Sequence, residues 1–195
     1  MHGLVNTSIE RFLRRAYGND RWQAVASAAG LGIDTFEPMM SYDDSVTEAV
    51  LDAASAQTGL SRADLLEDLG TFLVSDTSME PLRRLLRFGG DDYTEFLHSL
   101  DDLPDRVRLA VPELQLPRIE SQEVTPGLFR LSISPGWPGI AHVFAGVLRT
   151  MADDYGALVM LDHRGERGGC DEFSIAVVEK DFATGRSFAL GTGWT

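Results

Sequence analysis

The spacing of apolar residues in this 195-residue chain changes near Ile119, and that switch limits the folds open to it. Before the switch, apolar residues recur every three or four positions, the signature of helices with one buried face. Ile9, Phe12, Leu13 and Ala16 follow this rule between Asn6 and Ala16, and Val46, Ala49, Val50 and Ala53 follow it further on. After the switch, Leu128 to Ile133 and Phe173 to Val178 read as strands, as does Ala157 to Asp162. One long amphipathic segment, Ile140 to Tyr155, lies among them and stops at Gly156. A helical N-terminal part followed by a small antiparallel sheet packed with a long helix is an α+β arrangement.

Local signals set the boundaries. Asp20 can cap a second helix that runs to Ala29 and stops at Gly30-Leu31-Gly32, and Phe36 to Tyr42 is an irregular connector holding Pro38. Asp43 or Asp44 can cap the third helix, which Gly59 ends. Ser61 with Asp64 three residues later makes a box-like start for a helix through Leu65, Leu66 and Leu69 towards Val74. Met79 to Arg87 is a short helix, and Gly89-Gly90-Asp91 separates it from a helix over Tyr93 to Leu103. Pro104 interrupts that ladder, so the helix kinks or restarts there, with Asp101 and Asp102 as caps for a piece reaching Val111. Pro112 to Pro117 is a linker, Pro135 to Gly139 a loop, Arg164 to Gly169 a turn, and Phe182 to Leu190 a last strand or a tail.

Composition narrows function. The net charge of −13 opposes binding to phosphate backbones or anionic lipid, so neither nucleic acid nor a membrane is an expected partner. No stretch approaches the roughly 18 apolar residues of a membrane span. The start Met1-His2-Gly3-Leu4-Val5-Asn6 lacks the pattern of a signal peptide. The one cysteine, Cys170, excludes an internal disulfide and fits a reducing, cytoplasmic setting. Catalytic signatures are missing as well. Ser132-Ile133-Ser134-Pro135-Gly136 lacks the nucleophile elbow, and Gly30-Leu31-Gly32 is no phosphate loop. The pairs Asp43/Asp44 and Asp153/Asp154 read as caps and solvated faces, so no enzymatic activity is expected.

Several short segments, in order and at matching intervals, resemble the heme nitric-oxide/oxygen-binding family, H-NOX. They are Met1-His2-Gly3-Leu4-Val5; Tyr17-Gly18-Asn19-Asp20 with Trp22; Ala53-Ala54-Ser55 with Thr58-Gly59-Leu60; Leu65-Leu66 with Leu69-Gly70; and Phe96-Leu97 through Asp102. Val107-Arg108, Leu116-Pro117-Arg118, Gly146-Val147-Leu148, Tyr155-Gly156 and Arg167-Gly168 continue the series. The resemblance implies a single domain over residues 1–195. A distal helical subdomain (1–75) and a proximal α/β subdomain (76–195) would enclose one heme b. It also implies a response to nitric oxide, exerted in trans on a signalling enzyme: a diguanylate cyclase or phosphodiesterase, or a histidine kinase.

Two departures fall on the site that the resemblance implies. The family's iron ligand is a histidine at the position of Pro104. Proline offers a metal no lone pair. The family's propionate clamp is a Tyr-x-Ser-x-Arg pattern, in which all three side chains donate to carboxylates. Here the region reads Leu131-Ser132-Ile133-Ser134-Pro135-Gly136, where Ser134 matches the serine and neither tyrosine nor arginine accompanies it.

The remaining candidates are few. His98 is the best internal substitute ligand, since imidazole commonly holds heme iron. Six residues from Pro104 on one helix amount to about 600° of rotation, which puts the two on different faces. The alternative is a partly exposed imidazole bonded to Asp101 or Asp102. Leu97, Leu100, Pro104 and Val107 would line the pocket, with His142 near the clamp region. His163 belongs to a hairpin, His2 is terminal and expected to be mobile, and Cys170 sits in a turn; no zinc-type spacing joins them. Arg83, Arg84 and Arg87 form either a docking patch for an acidic partner or a solvated helix face. Without heme the vacated space must be filled, and Phe12, Phe72, Met151, Trp137 and Phe144 are candidates, because cavities destabilise with volume. Three functions stay open: a heme sensor with a substitute ligand, a heme-free interaction module, and a carrier of another apolar ligand.

Overall fold

In the computed structural model, which describes residues 1–188, eight helices precede or interrupt one four-stranded sheet. The helices of the first part are α1 (Gly3–Tyr17), α2 (Asn19–Ala28), α3 (Asp44–Thr58), α4 (Arg62–Ser75) and α5 (Glu80–Arg87). After them come α6 (Tyr93–His98) and α7 (Leu103–Ala110), then β1 (Ile119–Thr125), β2 (Leu128–Ile133), α8 (Ile140–Tyr155), β3 (Leu158–Arg167) and β4 (Cys170–Glu179). The α+β reading holds. The part of the expected terminal strand or tail at residues 189–190 lies outside the described residues, and residues 182–188 are not strand.

Most helix ends follow from the residues that flank them. His2 is not mobile: its Nδ1 accepts a hydrogen bond from the Leu4 N–H and caps α1. Ser61 caps α4 through the Asp64 N–H, and its hydroxyl also donates to the Asp64 carboxylate at 2.6 Å. The irregular connector before α3 is held by Glu10, which is buried on α1. Its carboxylate accepts from the Phe36 N–H at 2.8 Å, the Thr35 hydroxyl and Arg14. Asn6 accepts from Thr47 at 2.7 Å and ties α1 to α3.

The sheet order is β1-β2-β4-β3, with every neighbouring pair antiparallel. Phe129 pairs with Ile175, Leu131 with Phe173, and Ile133 with Ile119, so one face is an apolar layer. β1 is the strand that periodicity misses, because only its first residue is buried and the rest of this edge strand faces water. The turn expected over residues 164–169 is shorter than predicted, since β3 continues to Arg167 and the reversal uses Gly168 and Gly169, both at positive φ.

The helical half and the sheet half meet where α4 crosses α8. A Cβ on Gly70 would collide with the Val143 carbonyl oxygen, and one on Gly146 with the Glu67 carbonyl oxygen. The backbones thus approach more closely than side chains permit, and Leu66, Leu69 and Phe72 of α4 join Val143, Phe144 and Val147 of α8 in one core. Gly146→Ala is expected to lower unfolding stability by about 1–3 kcal/mol through overpacking against backbone, read from urea denaturation; a change below about 0.3 kcal/mol would mean the helices separate freely.

Candidate functional site

The segment predicted as one kinked helix is three pieces. α6 ends at His98, a single 3₁₀ turn spans Leu100–Asp102, and α7 begins at Leu103. The break therefore lies before Pro104, not at it. Pro104 occupies the first turn of α7, where a missing N–H costs no helical hydrogen bond. Asp101 is not a cap: its carboxylate accepts from the Ser121 N–H at 2.6 Å and pins the 3₁₀ turn to β1. Arg106 fastens the other side, donating to the Ser99 carbonyl at 2.9 Å and the Leu85 carbonyl at 3.2 Å. Burial lowers its guanidinium pKa from the ordinary value.

This arrangement directs Leu97, Leu100 and Val107 inward as expected, with Leu103 joining them, whereas Pro104 is only half-buried. The four inward side chains are 0–6% exposed and share one core with Leu131, Ile133, Leu148 and Met151. A chamber able to admit heme would leave its walls open to water, and these walls are closed. Phe12, Phe72, Met151 and Phe144 are buried in this core, and Trp137 packs partly buried against it. The buried side chains among these occupy the interior and are shielded from water.

His98 sits at the rim of that interior rather than inside it. Its side chain is 50% exposed, its Nε2 lies 3.2 Å from a Glu123 carboxylate oxygen, and its ring meets Phe129 edge-on at 5.0 Å. The partners expected from helical spacing, Asp101 and Asp102, are not used, because the 3₁₀ turn carries them away. His98 and Pro104 also belong to different helices. Ser134 does not clamp a carboxylate: its hydroxyl oxygen accepts from the Arg118 N–H at 2.8 Å and closes the end of the β1–β2 pair. The residues present do not fit a heme. The family's ligand position lacks a donor, the His98 imidazole is turned to Glu123, and the side chains around that position are buried.

His142 and His163 come together, which sequence spacing does not suggest. Their rings stand edge-to-face at 5.3 Å. His163 stacks on Phe173 at 4.5 Å and its Nε2 lies 2.9 Å from Asp171. Burial, then the charge of His163, lowers the His142 pKa from its ordinary value, with Asp171 and Asp64 opposing. Cys170 begins β4 with a half-buried free thiol.

The three arginines do not form one patch. Arg83 is buried and donates through Nε to Asp154 at 2.7 Å, and Arg87 reaches the same carboxylate at 3.6 Å. Only Arg84 is exposed, and it pairs with Glu80. Asp154 is correspondingly not on a solvated face. It is 1% exposed and also faces Arg186 at 3.7 Å, so it gathers α5, α8 and the segment after β4. That segment is held further by Ala183 N–H to the Gly156 carbonyl and Arg83 to the Ser187 carbonyl. The signal was present in the sequence. Asp154 continues the inward series Phe144, Val147, Met151 of α8, and an acid on an apolar stripe implies a buried partner.

A family model described as Haem-NO-binding matches residues 2–163. Soluble guanylate cyclase gcy-31 of Caenorhabditis elegans is 23% identical over 79% of this chain, which covers 22% of that protein. Soluble guanylate cyclase 89Db of Drosophila melanogaster is 21% identical over 82% of the chain and 24% of that protein. The chain thus spans about a quarter of the length of these relatives. A T. Tengcongensis H-NOX structure superposes with a TM-score of 0.76 at 18% identity, covering 92% of this chain and 99% of that one. An H-NOX protein from S. oneidensis in the Fe(II)NO ligation state gives 0.73 at 17%, covering 91% and 99%. At these identities the superpositions establish the fold.

Two outcomes are expected. Asp154→Ala removes the Nε partner of buried Arg83, leaving it Glu80 and the Ser187 carbonyl, and should cost about 1–3 kcal/mol in urea unfolding, with faster proteolysis of residues 181–188. Lowering pH should also destabilise the protein. A histidine whose folded pKa is depressed stays neutral while the unfolded chain takes up its proton, so stability falls as pH drops below about 6.5 towards the folded value. His142→Gln should flatten that part of the stability–pH curve; an unchanged slope would remove His142 as its source.

Proposed function

The chain belongs to the Haem-NO-binding (H-NOX) family, and we propose that within it the chain is a heme-free regulatory module that acts by binding a signalling enzyme. The observation that carries this reading is the filled interior. Leu97, Leu100, Leu103 and Val107 occupy the wall where the family's proximal ligand belongs, and Pro104 supplies no donor. Ser134 alone of the clamp is present, and its hydroxyl is engaged by Arg118. With iron ligation and propionate anchoring both lost, a nitric-oxide response through heme has no support in these residues. The filled core equally favours a module over a carrier, since a carrier needs a chamber.

The relatives are named as guanylate cyclases, but they are about four times as long as the matched region. The matched family is one of sensor domains, and that supports reading the chain as a regulator. By the family resemblance its partner is a cyclase or phosphodiesterase of cyclic dinucleotides, or a histidine kinase. The two bodies that would transmit a signal are residues 1–75 and 76–195, joined across the α4–α8 crossing. No described helix is long and apolar enough to cross a membrane.

Protein expressed with heme supplied is expected to show no stoichiometric Soret band, to take up no saturating equivalent of added hemin, and to behave identically as His98→Ala. A one-to-one Soret band that disappears in His98→Ala would overturn the reading and make His98 a relocated ligand.

A further inference from the structure

The outer face of the sheet carries an arginine-lined cleft that the ion-pair network leaves partly open, and it continues into an exposed apolar strip. A second arginine-lined cleft, at Arg11, Arg14 and Arg15, has buried Phe72 as its one apolar lining residue among the described residues. The sheet-face cleft, of about 200 Å³, is lined by Val124, Leu128, Arg130, Arg164, Arg167 and Glu172, with the backbones of neighbouring strand residues as its floor. Strand alternation puts these side chains on the face opposite the core layer: Arg130 pairs with Ser174, which pairs in turn with Asp162, one step from the inward pair Leu131 and Phe173. All three arginines are exposed. Arg164 contacts Asp162 at 3.1 Å, while Arg130 and Arg167 have no ion pair among the described residues. In a chain of net charge −13, other arginines such as Arg62, Arg83 and Arg84 are paired with carboxylates.

The apolar strip follows from the same register. Leu128, Ala176 and Met160 stand side by side across β2, β4 and β3, and Val178 and Leu158 extend the row. Met160 is 69% exposed and Val178 57%, an uncommon arrangement for a soluble sheet face. Sheets bury such rows beneath a helix, and on this face no helix of the described chain supplies one, because α8 packs on the inner layer.

We propose that this face docks an acidic amphipathic helix of a partner protein, its apolar side on Leu128, Ala176, Met160 and Val178 and its carboxylates on Arg130, Arg164 and Arg167. Charge complementarity selects this occupant. Arginine forks bind carboxylates with directional hydrogen bonds. The net charge of −13 repels an anionic partner at a distance, so its docking depends on these local arginines together with the apolar row beside them. Nucleic acid would meet the same repulsion over a far larger footprint. The inference rests on the reading that the domain works by binding a partner, and it specifies where.

The probe is a fluorescein-labelled amphipathic peptide with leucines at helical spacing and glutamates on both flanks, against a counterpart with lysine for every glutamate. Fluorescence anisotropy should show saturable binding of the acidic peptide, weakened by salt, and none of the basic one. Arg130→Glu/Arg167→Glu and, separately, Met160→Asp should each weaken binding about tenfold, while Arg84→Glu, on α5, leaves it unchanged. Circular dichroism checks that each variant is folded. Equal binding by the double variant, equal binding of the basic peptide, or response to inorganic phosphate alone would overturn the proposal, as would concentration-dependent self-association through this face without peptide binding. Hemin absorption is read on the same samples. A Soret band with arginine-dependent peptide binding would sink the heme-free reading and keep the docking face. No band with no binding would do the reverse.

Discussion

The backbone crossing of α4 and α8 is the contact on which the rest of this molecule depends. Gly70 and Gly146 remove the side chains that would hold the helices apart, and each glycine lies against a carbonyl of the other helix. That approach puts the apolar faces of both helices into one layer, and it brings the helical half of the chain onto the half that contains the sheet. Dispersion between closely packed atoms is individually small and grows with the number of contacts, so a crossing at backbone distance holds firmly without any hydrogen bond between side chains.

Around this crossing, the interior closes. The broken segment from α6 to α7 is fixed by polar contacts at both ends, Asp101 on β1 and Arg106 on the carbonyls of Ser99 and Leu85. These contacts decide the rotation of α7, and hence that Leu103 and Val107 face inward while Pro104 sits at the edge. A proline in a first helical turn is structurally neutral. Its importance is chemical: by the family resemblance it stands where the iron-ligating histidine is expected. Under the heme-free reading proposed above, the space is best used by residues that fill it, because cavities destabilise with their volume.

The charges divide along the same lines. Inside, Asp154 gathers Arg83, Arg87 and Arg186, and the cluster fastens the chain after β4 to two helices. Such a cluster lends specificity more than net stability, because both charges lose hydration. Outside, Arg130 and Arg167 keep theirs, on a face with an apolar row beside them. The contrast between the neutralised interior and the open outer face separates structural arginines from those free to bind.

Much of this was legible in the sequence, and the limits have a physical cause. Helical spacing and capping residues specify α1 to α5 and α8 to within a few positions, because those signals are local. Alternation specifies β2 and β4, whose inner faces are buried, but not β1, an edge strand with one buried residue. The order of short segments identified the family, and Pro104 alone announced that its usual iron ligand was missing. Local signals do not say which side chains meet across the chain. The place of the helix break, the partners of His98, the pairing of His142 with His163, the burial of Arg83 and Arg87, and the closure of the interior were all decided by tertiary packing. Each depends on contacts between residues far apart in sequence, whose energies exist only once the two halves have come together.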